Sequence, residues 1–178
     1  MFAYQEYYST TDYEQWKGDW ELMGGMPYAM SPSPSVSHQS VATKLTAQLV
    51  NVLITDNKTC ETCTVLMETD WYVSNDTVVR PDVLVVCRKI GEKVMVAPDL
   101  IVEVVSPTSS KRDEVMKFEL YHREGVSYYI LAYPDIRMAK VYRNHTSGYS
   151  KVGDYSSERS TFEIKSCSFS IDFSTVWH

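Results

Sequence analysis

The sequence predicts an α/β domain built on a central mixed β-sheet with helices on both faces. Two segments, 78–87 and 100–106, are apolar at successive positions rather than alternate ones, the pattern of strands covered on both sides. Helical periodicity appears around 35–54 and again around 110–124, between strand-like segments, which is the element order of an α/β fold. Tyrosine is abundant at 13 and glycine scarce at 7, a composition that suits sheet more than linker. With 178 residues and neither repeat nor low-complexity stretch, the chain is expected to form one domain, 1–178.

Each element has its own local reason. Thr10, Thr11 and Asp12 offer N-caps for a short helix through Lys17. The run D-W-E-L-M-G-G-M-P-Y-A-M-S-P reads as two short strands around Gly24-Gly25, with Glu21 on the first. The prolines of 31–35 keep that segment extended up to a helix cap. Val41, Leu45, Leu49 and Val52 mark the apolar stripe of the helix 35–54, and His38 falls on it near the start. Residues 59–67 read as a strand that 70–73 continues, and Ser74-Asn75-Asp76 as a turn. After the two apolar strands, Ser106-Pro107-Thr108-Ser109-Ser110 stops the chain and caps the helix 110–124, with Gly125 just beyond it. A strand at 126–133, a turn at Pro134-Asp135 and a hairpin of 137–143 with 149–155 follow. The alternating S-F-S-I-D-F of the tail is expected to cover one end of the sheet.

Bulk properties narrow the function. The net charge of −6 argues against a surface coated in nucleic-acid-binding charge, but not against a local cleft in which a metal ion supplies positive charge. No apolar run approaches the roughly 18 residues that span a bilayer, so no membrane association is expected. The start, M-F-A-Y-Q-E-Y-Y, has neither the basic nor the apolar region of a signal peptide. Cys60, Cys63, Cys87 and Cys167 do not make a disulfide scaffold in a chain of this length. Cys60-Glu61-Thr62-Cys63 is formally a C-x-x-C, but no second Cys/His pair stands at zinc-finger spacing. A reduced, cytoplasmic protein is expected.

The chemistry concentrates in 77–117. Asp82 and Glu103 are isolated acids in the two most apolar strands, and a buried carboxylate needs a partner or a metal. Asp99 and Glu103 share a strand face but stand about 13 Å apart, too far to hold one ion. Asp82 comes beside Glu103 if their strands pair, so Asp82 and Glu103 are the candidate metal pair and Asp99 a structural acid. One or two carboxylates plus waters suit Mg²⁺ and a phosphate-ester substrate. In the following helix, α-helical phase groups Arg112, Glu119 and Arg123 on one face and turns Lys117 roughly 120–160° away, beside Leu120 and Tyr121. A lysine turned from the solvated face is placed to stabilise a charged transition state or orient the attacking water. The bland alternatives are a turn aspartate at 82, a snorkelling lysine at 117 and a satisfied helix-start histidine at 38.

These residues carry a resemblance. R-P-D-V-L-V-V at 80–86, A-P-D-L-I-V-E-V-V-S-P-T at 97–108, K-F-E-L-Y at 117–121 and G-V-S-Y-Y-I at 125–130 resemble the Uma-type endonuclease family, which is restriction-endonuclease-like and of the PD-(D/E)XK superfamily. E-L-M-G-G at 21–25, M-S-P at 30–32 and His38 are similar to the family's N-terminal pattern. The resemblance implies a restriction-endonuclease-like central mixed sheet flanked by helices. It also implies a Mg²⁺-dependent endodeoxyribonuclease, with Mn²⁺ as a substitute metal, acting on DNA as a homodimer. Asp82 and Glu103 would be the metal-binding acids and the Val104 carbonyl a third ligand. Lys117 would serve as the catalytic lysine from the helix, since position 105, where the superfamily's lysine usually stands, is valine. Glu21 and His38 would be accessory site residues. The chain departs from the family in having Gly24-Gly25 for Asp-Gly and Ala132-Tyr133-Pro134 for Val-Asp-Pro. The competing readings are a catalytically inactive nuclease-fold module used in binding or assembly, and a structural dimer whose apolar strands serve an interface.

Overall fold

The computed structural model describes residues 6–30, 33–55, 60 and 62–177. Thr59 and Glu61, and Ser31 and Pro32 of the Ser/Pro segment, lie outside the described residues.

The chain opens with a short helix α1 (Thr10–Tyr13), capped by Ser9 rather than by the threonines. Ser9 accepts from the Asp12 amide while the Asp12 side chain accepts from the Ser9 amide, a reciprocal box that fixes the start one residue earlier than expected. Strands β1 (Trp20–Met23) and β2 (Met26–Ala29) then form the hairpin around Gly24-Gly25. Both glycines hold positive φ, and a Cβ on Gly25 would run into the Tyr7 ring.

Helix α2 (Val36–Val50) starts on the side-chain cap of Ser35, which accepts from the His38 amide, and continues into a π turn at Asn51–Thr55. Strand β3 (Cys63–Met67) follows, then β4 (Trp71–Ser74) and β5 (Thr77–Val79). Residues 70–73 do not continue β3. Glu68 adopts a left-handed φ of 44°, and there the chain leaves one sheet for another.

The apolar run expected as one strand over 78–87 is also split. β5 belongs to a four-stranded sheet of order β2-β1-β5-β4, and β6 (Val83–Cys87) to the main sheet. The break falls at Arg80-Pro81, where proline has no N–H to give a ladder. Asp82 therefore sits at the seam between two sheets, at the mouth of β6.

The main sheet adds β7 (Leu100–Val104), β8 (Tyr128–Tyr133), β9 (Met138–His145) and β10 (Gly148–Tyr155), in the order β10-β9-β8-β7-β6-β3. β7 and β8 are parallel and every other pair is antiparallel, so the sheet is mixed. The parallel crossover contains a π turn (Arg112–Met116) and helix α3 (Lys117–Arg123).

β6 and β7 are buried along their whole length, and both sheet faces are covered. On one face Val41, Leu45 and Leu49 of α2 pack with Phe162, Ile164, Phe169 and Ile171 of a terminal hairpin, β11 (Arg159–Ile164) and β12 (Cys167–Asp172). On the other face Leu120 and Tyr121 of α3 pack with Trp71 and Val79 against Leu84, Val86, Ile101 and Tyr129. The tail thus covers a face with two strands rather than one end with one; β11 escaped notice because R-S-T-F-E-I carries only two large apolar residues.

The cysteines correct the sequence expectation. All four are paired, Cys60 with Cys167 and Cys63 with Cys87. Linear spacing hides this because the partners lie 107 and 24 residues apart. Cys63 and Cys87 face one another across the β3–β6 ladder, and Cys167 opens β12.

Candidate active site

Val83 pairs with Val102 across β6 and β7, so one step further Asp82 comes to stand beside Glu103. The contact is direct. The Asp82 amide donates to Glu103 Oε2 at 3.3 Å, and the Val104 amide donates to Asp82 Oδ2 at 2.6 Å. Both carboxylates lie on the α3 face of the sheet, as Ile101 and Leu84 do.

Lys117 enters from the first residue of α3. Its ammonium lies 2.9 Å from Glu103 Oε1, 2.8 Å from Glu21 Oε1 and 3.7 Å from Asp113 Oδ1, with the side chain 4% exposed. Tyr121, one turn along, donates its hydroxyl to the same Glu103 oxygen at 2.8 Å. Glu21 arrives on β1 and also accepts from the Arg80 amide at 2.8 Å and from the Arg112 guanidinium at 3.2 Å. His38, in the first turn of α2, places Nε2 3.3 Å from Asp82 Oδ2, while its Nδ1 is buried with no hydrogen-bond partner. The structure thus brings Asp82, Glu103, Lys117, Glu21 and His38 to one cleft of about 520 Å³, which Val104, Arg80, Arg112, Asp113 and the 106–109 loop also line.

Three contributors were not singled out from sequence. α-Helical phase puts Arg112 on the solvated face with Glu119 and Arg123, whereas the structure turns Arg112 alone into the cleft, onto Glu21. The Lys117 amide bonds to the Arg112 carbonyl, a π turn that carries residues five apart to the same side. An α-helical count over 110–124 therefore assigns Arg112 the wrong phase, whereas Lys117, Leu120 and Tyr121 are buried together in α3. Asp113 is 3% exposed; an acid four residues before an inward lysine was the available signal. Tyr121 was noticed only as a neighbour of Lys117, and nothing in the sequence announces that its hydroxyl reaches Glu103.

The electrostatics follow from crowding. Burial pushes the Glu103 carboxyl well above the usual range; Lys117 pulls it back, and Asp113, Asp82 and Glu21 push it up again. Burial likewise raises Asp113, against Lys117 and a hydrogen bond from Ser109. For Lys117 burial acts downward, but Glu103, Glu21 and Asp113 outweigh it, so its pKa rises and it stays an ammonium. His38 is lowered by burial and raised by more through the hydrogen bond and charge of Asp82, with Asp113 and Glu68 adding to this. The cleft holds more buried acid than buried base, an imbalance that a bound cation relieves.

Asp99 sits elsewhere. It accepts from the Cys87 amide at 2.7 Å and pairs with Arg88 at 3.1 Å, tying the end of β6 to the start of β7. Asp99→Ala is expected to cost about 1–3 kcal/mol of stability in denaturant melts, because it orphans a buried N–H. Any DNA cleavage by the folded variant should match wild type.

A family model described as "Uma2: Putative restriction endonuclease" matches residues 5–166. The chain belongs to this family. A crystal structure described as "a putative nuclease belonging to DUF820", from Anabaena variabilis ATCC 29413, has the same fold, with a TM-score of 0.75 over 95% of this chain and 97% of that one at 15% identity. The search of curated proteins found no match. The Uma2 chain therefore has a nuclease-like mixed-sheet fold, and the cleft lies at the C-terminal end of β7, where the parallel crossover to β8 begins.

Among the described residues no three His, Cys, Asp or Glu side chains form a ready metal cage, and no helix is long and apolar enough to cross a membrane. Two carboxylates and a carbonyl, completed by water, are nonetheless a donor set that Mg²⁺ accepts.

Proposed function

We propose that this Uma2 protein is a divalent-metal-dependent endonuclease that hydrolyses phosphodiester bonds in DNA. The observation that carries the reading is the convergence of Asp82, Glu103 and an ammonium, Lys117, at the seam between two sheets. Asp82, Glu103 and the Val104 carbonyl are the groups that would hold Mg²⁺, or Mn²⁺ in its place. Bound there, the metal supplies Lewis acidity to the phosphate and an activated water.

The remaining roles belong to the chain itself. Lys117, held charged by three acids, faces the negative charge that builds on the phosphoryl oxygens. Glu21 positions Lys117 and Arg112 together, so two cations keep a fixed spacing. His38 holds one Asp82 oxygen, leaving the carboxylate a defined orientation. A buried, pre-paired lysine costs little reorganisation during reaction, which explains how Val105 can stand where the superfamily's lysine would be. Cutting both strands of a duplex takes one such site per strand, which fits a two-fold homodimer.

The test is conversion of supercoiled plasmid to nicked and linear forms, with Mg²⁺, with Mn²⁺ and with excess chelator, and with RNA as a parallel substrate. Metal-dependent conversion that the chelator abolishes is expected. No conversion with either metal would leave the inactive binding module as the better reading, and preferential RNA cleavage would replace the substrate.

A further inference from the structure

We propose that Cys60, Cys63, Cys87 and Cys167 form a structural zinc site, a tetrathiolate when reduced that closes to two disulfides when oxidised. The inference is independent of the endonuclease reading. The four residues belong to one buried apolar cluster. Cys60 and Cys63 are separated by two residues, and their partners stand at Cα distances of 5.2 Å for Cys60–Cys167 and 3.8 Å for Cys63–Cys87. A cross-link joins the two pairs: Lys165, in the tight turn that precedes Cys167, donates its ammonium to the Cys87 carbonyl at 2.7 Å. All four cysteines are buried, Cys63 being the most exposed at 8%.

Zinc bound by four cysteines is tetrahedral, and a C-x-x-C turn is a common source of two of the four thiolates. Here the motif is Cys60-Glu61-Thr62-Cys63, and the other two sulfurs come from the end of β6 and the start of β12. That supplies the second pair which linear spacing did not show. The surroundings favour thiolate. Arg88 and Lys165 flank the end of β6, with Asp99 3.1 Å from Arg88, 3.9 Å from Lys165 and bonded to the Cys87 amide at 2.7 Å. In this structure the four sulfurs are paired as disulfides, and among the described residues no three His, Cys, Asp or Glu side chains stand ready to hold a metal.

The interconversion balances. A dithiol reductant gives two electrons and two protons to each disulfide and itself closes to a disulfide, so two equivalents yield four thiols. Zinc then binds the four sulfurs and releases four protons. Either form ties the segment after α2, the β3–β6 edge and the terminal hairpin together. Cys87 is five residues from Asp82 along β6, about 17 Å at the rise of a strand, so the clamp stands apart from the cleft.

The test uses the full chain, reduced anaerobically, stripped with a chelator, desalted and given Zn²⁺ or Co²⁺ alone. Native mass spectrometry is expected to show one zinc per chain, with the four thiols lost to thiol-reactive reagents. Cobalt should give the strong visible absorption and the thiolate charge-transfer band of a tetrahedral sulfur site. Cys87→Ser and Cys167→Ser should each lose that band, and Asp82→Ala should keep it. Should those serine variants not fold, zinc X-ray absorption on the wild type reads the ligands directly, with sulfur neighbours only, at about 2.3 Å, as the expected result. Absence of stoichiometric zinc in the reduced chain, nitrogen or oxygen in the zinc shell, or a cobalt band that survives both serine substitutions would overturn the proposal. None of these outcomes depends on whether DNA is cut.

Discussion

Replacing Asp82 with asparagine is expected to lower DNA cleavage by at least about 10³-fold and to leave thermal stability close to wild type. Asparagine keeps the shape of aspartate and an oxygen to accept from the Val104 amide, now bonded at 2.6 Å. What it removes is a negative charge at the sheet seam, the one feature a cation needs. Glu103→Gln should lose cleavage alike; glutamine can still accept from Lys117 and Tyr121 through the oxygen they share, while its NH₂ replaces the oxygen that accepts from the Asp82 amide, so some stability goes with it. Plasmid cleavage under single-turnover conditions, with melting curves on the same samples, separates loss of chemistry from loss of fold. Undiminished cleavage by either folded variant would remove that residue from the mechanism.

Lys117→Met should be the most destabilising single change in the cleft, at about 3–5 kcal/mol, because it strips the shared counter-charge from buried acids. Methionine fills much of the volume, so the loss is electrostatic rather than a cavity. The cost also has a pH signature. Glu103 and Asp113 have folded pKa values above their ordinary 4.5 and 3.8, so the folded chain binds more protons than the unfolded one in the window from those values upward. Their contribution is fully in place below that window and is lost as pH rises through the raised folded values. Lys117 pulls both acids down; without it they rise further and the window widens. The deficit of Lys117→Met relative to wild type should therefore be smaller near pH 5 than near pH 8, by denaturant titration in the presence of a chelator. A deficit under about 1 kcal/mol, or one independent of pH, would mean that the acids do not rely on this lysine.

The two acids at the seam and the lysine are visible in the chain because each breaks a local pattern: a carboxylate at the head of one apolar strand, a carboxylate inside another, and a lysine on the inward stripe of a helix. Such anomalies survive without knowledge of the fold, since hydrophobic periodicity is itself local. Arg112 broke no pattern, because the rule used to read it assumed α-helical phase where the backbone makes a π turn. Asp113 and Tyr121 meet the Glu103–Lys117 pair only because the crossover folds back over β7.

The sheet assignment divides in the same way. Continuous apolar runs are enough to declare β6 and β7 buried on both faces, and enough to predict covers above and below. They do not reveal that Pro81 ends one strand and hands the chain to another sheet, which is what leaves Asp82 at a mouth rather than inside a ladder.

By itself the sequence determined the fold class, the apolar segments at the centre and the acids that stand out beside them, because these depend on composition and on periods of two and 3.6 residues. Only the tertiary structure decided which acids share an oxygen-lined cleft, which cations hold them, and that Cys60 pairs with Cys167 and Cys63 with Cys87. Pairing of that kind depends on strand register and crossover path, and a carboxylate or a thiol carries no local mark of the partner it will meet.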